Sequence, residues 1–177
     1  MKITELKIKN FRGIKEMDLP LNPQLNVFCG VNGAGKSSIL DSAALFLSWI
    51  IARIRQERGS GSPISISDIN NDESFALLEM TLSAHNEQYK GSLAKTRSGS
   101  PSFSRSDMNE FSSYAKQMQQ EIAAPGQDTS LPVIISYKTN RAVNDIPLRI
   151  RGRHKFDLLE TYNGALNSGV NFRRFFE

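Results

Sequence analysis

Gly30, Val31, Asn32, Gly33, Ala34, Gly35, Lys36 and Ser37 fit the pattern G-x-x-x-x-G-K-[ST] without a mismatch. The chemistry such a string supports is the holding of a phosphate. Glycines let the backbone take left-handed or crowded dihedrals and approach an anion with no Cβ in the way. Consecutive amides then turn inward and form a nest at a helix N-terminus, whose partial positive charge favours phosphate. Lys36 adds a mobile ammonium for the β- and γ-phosphates and is the residue expected to serve catalysis. The Ser37 hydroxyl is a hard oxygen ligand suited to Mg²⁺. The competing reading is a glycine-rich turn capping a helix with an incidental Lys-Ser pair. Background frequencies produce such a string in on the order of one chain in a few hundred, and its context makes chance rarer still.

That context is a strand before the loop and a long helix after it. Leu25 to Cys29 is a short apolar run entering the loop and reads as a buried strand. From Ser37 the period changes, and Ile39, Leu40, Ala43, Ala44, Phe46, Leu47, Ile50, Ile51 and Ile54 recur at helical spacing to about Arg58. Lys2 to Phe11 and Ile14 to Leu21 read as two earlier strands around Gly13. Phe75 to Ser83 and Gln88 to Thr96 flank the polar turn His85 to Glu87 as an antiparallel hairpin. Met108 to Ala123 reads as a helix, and Val133 to Tyr137 as a return to a buried strand. Serine and glycine at 59–63 and 98–106 mark flexible segments.

Composition places limits around this. The chain has 177 residues, 22 Lys plus Arg against 18 Asp plus Glu, and 39% apolar residues, which suits one globular domain. A single cysteine, Cys29, excludes an intrachain disulfide framework or a paired-cysteine zinc site and fits a cytoplasmic setting; on a buried strand it would be a small apolar filler. The N-terminus alternates Ile3, Leu6 and Ile8 with polar residues and is not a signal peptide. The longest apolar stretch, Ala43 to Ile54, is broken by Ser48 and Arg53, so no membrane contact is expected. Phe46 and Trp49 are expected in the core. His85 and His154 lack carboxylate or cysteine neighbours at ligand spacing. Between Tyr137 and Lys155 stand six basic residues and one acid, Asp145. That patch is either a contact for DNA phosphates or a solvated edge, and no aromatic platform interleaves it.

The run Ile3-Thr-Glu-Leu-Lys-Ile-Lys-Asn-Phe-Arg-Gly-Ile, followed by Asn26 through the loop to Asp41, resembles the N-terminal lobe of SMC and RecF-type ABC ATPases. Pro132-Val-Ile-Ile-Ser-Tyr-Lys-Thr-Asn-Arg-Ala-Val and the closing Asn171-Phe-Arg-Arg-Phe-Phe-Glu are similar to ATPases of Septu-type and retron-associated antiphage systems. The resemblance implies an α/β fold of the P-loop NTPase class, an ABC-type lobe with a mixed N-terminal β-sheet packed around the long helix. It implies ATP and Mg²⁺ as cofactors, held by Gly30, Asn32, Gly33, Ala34, Gly35, Lys36, Ser37 and Ser38, with Ser37 on the metal. Arg12 matches a basic position near the nucleotide, with a solvent-facing turn arginine as the alternative. Arg141 falls where the family places a nucleotide-sensing loop, but no glutamine stands at Ser136, Tyr137 or Lys138.

No Asp follows four apolar residues, so a Walker B strand is absent, and so is a Leu-Ser-Gly-Gly-type signature. The chain 1–177 is therefore expected to be the N-terminal part of a longer ATPase and to turn over ATP poorly alone. In the intact protein the resemblance implies a head-to-tail ATPase dimer acting as a nucleotide-driven switch in DNA repair or antiphage defence. A nuclease or effector partner and DNA are its candidate partners. An ABC transporter subunit and a non-hydrolysing assembly module are the alternatives. The Asn-Lys-x-Asp element of GTPases is missing.

Overall fold

The computed structural model describes residues 1–101, 104–124 and 130–137, together with Leu159, Tyr162 and Leu166. The chain divides into two compact units, Met1–Leu131 and Pro132–Glu177. In the first, four strands form one sheet in the order β2-β1-β3-β4, with β1 Lys2–Phe11, β2 Ile14–Pro20, β3 Phe75–Ala84 and β4 Glu87–Thr96. Every neighbouring pair runs antiparallel. Helices α1, Lys36–Arg55, and α2, Asn109–Ala123, accompany it.

Period-2 patterning produces this sheet. In β3 the residues Ala76, Leu78, Met80, Leu82 and Ala84 are all buried, and in β1 Leu6 and Ile8 lie opposite Met80 and Leu78. Across the other seam Leu78 faces Leu93 and Leu82 faces Tyr89. The outer strand β2 buries Ile14 alone and exposes Lys15, Glu16 and Asp18, charges that discourage pairing with another chain at that edge. The β3–β4 hairpin is closed by His85 and Asn86, at φ 50° and 64°, the signs a two-residue type I′ turn requires.

Helical spacing sets the second layer. On α1 the buried stripe is Ile39, Ser42, Phe46, Ile50 and Ile54, and on α2 it is Phe111, Tyr114, Ala115 and Met118. The stripes meet where Phe46 and Phe111 pack edge to face at 6.0 Å. Ser42 is fully buried and satisfies its hydroxyl on the Ile39 carbonyl at 2.7 Å. By length and composition α1 would pass for a membrane span; here its apolar stripe lies against the sheet and α2. The helix ends at Arg55 rather than near Arg58. The Gly-Ser stretch after it folds back onto α1: Ser62 N–H donates to Ser48 Oγ (2.8 Å), and the Trp49 indole N–H donates to the Ser62 carbonyl (2.9 Å). A Cβ at Gly61 would stand 2.4 Å from the Trp49 nitrogen, so this stretch packs closely on α1. Trp49 is half-buried under this contact, whereas Phe46 is wholly inside.

Two expected strands are corrected. Leu25 to Cys29 is irregular, with Leu25 and Val27 exposed at 74% and 70%, and Cys29 is exposed as well. Val133 to Tyr137 is also irregular; Ile134 is buried, but Val133, Ile135 and Tyr137 face outward. An apolar run becomes a buried strand only when neighbouring strands take up its amides and carbonyls, and no described strand pairs with either run. In the second unit Tyr162 is buried and donates its hydroxyl to the Pro132 carbonyl at 2.7 Å. The basic residues from Lys138 to Lys155, Arg141 among them, with His154 and the terminal Asn171 to Glu177, lie outside the described residues.

Candidate functional site

Gly35 is the N-cap of α1, and its φ of +89° is left-handed, a conformation that favours glycine. A Cβ there would also stand 3.3 Å from the Ile14 side chain at the start of β2, a tight contact that would make Ile14 give way by a few tenths of an ångström. Gly33 repeats the left-handed turn at φ +84°. Ala34 N–H bonds the Val31 carbonyl (3.3 Å) and draws the loop into a tight arch. The first bond of the helix runs from Ile39 N–H to the Gly35 carbonyl (3.0 Å), so the amides of Lys36, Ser37 and Ser38 have no helical acceptor.

Lys36 folds over this arch. Its ammonium donates to the Gly30 and Val31 carbonyls at 2.7 Å each. Those contacts hold the charge at the mouth of the loop, on a side chain with four rotatable carbons. Residues Gly30 to Ala34 and Ser37 are exposed, and Gly35, Lys36 and Ser38 are half-buried. Among the described residues the Ser37 hydroxyl has no protein partner. Free amides, a free hydroxyl and a movable ammonium together form a donor set for a phosphate and its magnesium. No cluster of three or more His, Cys, Asp or Glu among the described residues is placed to hold a metal by itself.

Arg12 is the residue for which the structure adds most. It follows β1 with φ +52°, and its guanidinium is a bridge: Nε donates to Asp68 Oδ1 (2.8 Å) and Nη1 to Asp41 Oδ2 (2.6 Å). Burial works against its charge, but the hydrogen bonds and charges of Asp68 and Asp41 outweigh that and push its pKa above the ordinary arginine value. Its backbone is held too, by Arg12 N–H to the Asp68 carbonyl (2.7 Å) and Asn70 Nδ2 to the Arg12 carbonyl (2.7 Å). Arg12 thus joins three elements: the end of β1, the first part of α1, and the short 3₁₀ turn Ile66–Asp68. Its side chain is 37% exposed and is tied down by both carboxylates. Neither Asp41 nor Asp68 follows a run of four apolar residues, and nothing in their spacing marks them as partners of Arg12.

Residues 1–50 match the family model described as AAA ATPase domain. The chain is 23% identical over 188 residues to the Retron Ec83 probable ATPase of Escherichia coli, covering 99% of this chain and 34% of that protein. It is 30% identical over 130 residues to the DNA replication and repair protein RecF of Proteus mirabilis, covering 71% of this chain and 34% of that one. A solved SMC ATPase structure superposes with a TM-score of 0.45 at 19% identity, over 75% of this chain and 87% of the other. The chain spans about a third of the length of these two curated relatives. The loop, helix and matched segment define the class as an ATPase lobe of the P-loop kind. Within that class the chain is similar to SMC/RecF-type ABC ATPases, with RecF and a retron ATPase among its relatives.

Proposed function

We propose that the loop from Gly30 to Ser38 binds the phosphates of ATP, with Mg²⁺ held by Ser37. The observation that carries this is the unsatisfied donor set at the start of α1, facing a Lys36 ammonium bound only to loop carbonyls. An incoming phosphate offers that ammonium a charged acceptor in place of two neutral ones, and charge-assisted bonds are roughly twice as strong. Magnesium would supply the charge that neutralises the β- and γ-phosphates. Ser37 would hold it, the first-turn amides would orient the phosphates, and Lys36 would stabilise charge developing on the transferred group. The family resemblance supports a role in DNA repair or defence. In the intact protein the proposed activity is a nucleotide-driven switch built on a head-to-tail dimer, with DNA and an effector protein as partners.

The test is Lys36→Ala in the full-length protein. Loss of one charge-assisted contact should weaken ATP binding by about ten- to a hundredfold, measured by calorimetry. Unchanged affinity would sink the assignment.

A further inference from the structure

A second cationic feature lies where the C-terminal end of α1 meets one face of α2. A cleft of about 200 Å³ is lined there by Arg53, Glu57, Arg58, Ser113 and Lys116. Glu57 is the sole acid among the lining residues and makes no ion pair with Arg53, Arg58 or Lys116. Three cations against one acid leave the cleft with an excess of positive charge.

Arg53 is the informative member. Its side chain is half-buried, and desolvation lowers its pKa with no carboxylate to offset the loss. Its Nη1 donates to the Met108 carbonyl at 2.6 Å and to Ser112 Oγ, while its guanidinium lies 5.5 Å from the Trp49 ring centroid. Basic residues near a helix end often serve only to offset the helix dipole. That role is already filled: Gln119 Nε2 covers the Arg53 and Ile54 carbonyls at 2.8 and 3.2 Å, and the Arg53 head group is spent on α2, not on its own helix end. A guanidinium carries five N–H donors in a planar fork suited to bidentate oxyanions, and only Nη1 is engaged by these bonds. Arg58 and Lys116 are exposed, with side chains long enough to close on whatever Arg53 holds.

We propose that this α1–α2 cleft is a second phosphate site, separate from the loop at the other end of α1. It takes one phosphate group, supplied either by a nucleic-acid backbone or by a free polyphosphate. Arg53 is the anchoring fork, and Arg58 and Lys116 are the outer cations.

Trp49 is the only tryptophan of the chain and lies against Arg53, so its emission reports on the site directly. The chain is titrated with sodium pyrophosphate and, separately, with a short DNA duplex. A saturable change in emission is expected, retained in the Lys36→Ala variant, which disables the loop alone. Arg58→Gln together with Lys116→Gln should weaken the response at least about tenfold, and the single Lys116→Gln severalfold, with circular dichroism showing both variants folded. Binding of both probes assigns the site to a nucleic-acid backbone, and binding of pyrophosphate alone assigns it to a free polyphosphate. The proposal is overturned by the lack of any saturable response, by its disappearance in Lys36→Ala, or by an affinity within twofold of the parent in the double variant.

Discussion

At the scale of single residues, the site depends on where two cations spend their hydrogen bonds. Lys36 rests on carbonyls of its own loop, contacts that cost little to exchange for a phosphate. Arg12 differs, since its two carboxylate partners fix it to α1 and to the Ile66–Asp68 turn. Both partners are partly exposed, with side-chain exposures of 27% for Asp41 and 19% for Asp68, so solvent screens the pairs. A double-mutant cycle on Arg12→Ala and Asp41→Ala should return a coupling of about 0.5 to 1 kcal/mol by denaturant unfolding. A coupling near zero would mean that Arg12 does not tie α1 to the sheet. Tyr89 makes a separate prediction. Burial, and then its hydrogen bond to Glu87 (2.7 Å), push its pKa from 10.0 to about 12. The folded state therefore favours the protonated phenol. The stabilisation is complete below pH 10 and is lost as pH rises toward 12. Burial also raises the pKa of Tyr114, so phenolate absorbance should show more than one tyrosine ionising late, and Tyr89→Phe should remove one of those late steps and leave the other.

At the scale of elements, the sequence was informative wherever a periodic run could satisfy itself locally or against its immediate neighbour. The stripe on α1, the stripe on α2 and the alternation of β3 appear close to their expected bounds, because each repeats the period of its own backbone. The hairpin turn was legible as polar, but not its conformation. His85 and Asn86 both sit at positive φ, which asparagine tolerates better than most residues. Asn86→Gly should therefore stabilise the protein by about 0.5 to 1 kcal/mol in urea unfolding, and a loss would mean that the asparagine side chain supports the turn. The helix pair depends on Phe46 meeting Phe111. Phe46→Ala removes a fully buried ring and should cost about 3 to 5 kcal/mol by the same measurement.

At the scale of the whole molecule, the chief departure is that two apolar runs expected inside the protein are largely outside. Leu25, Val27 and Val31 are exposed at 74%, 70% and 79%. Leu25→Ser with Val27→Ser should accordingly change the stability of this chain by less than about 0.5 kcal/mol, as surface substitutions do. A loss of several kcal/mol would restore the buried strand. The sequence by itself determined the glycine-rich loop proposed to hold phosphate and the helix behind it, since a nest of amides, a lysine and a hydroxyl are contiguous and need only a local turn to form. It also determined the alternation that makes the four-stranded sheet. Only the tertiary structure decided which acids hold Arg12, which cations converge on the α1–α2 cleft, and which apolar runs find cover. Each of these depends on residues far apart in the chain meeting in space: Arg12 lies 56 positions from Asp68, and Arg53 lies 59 from Ser112. Neither spacing nor period within one segment carries that information.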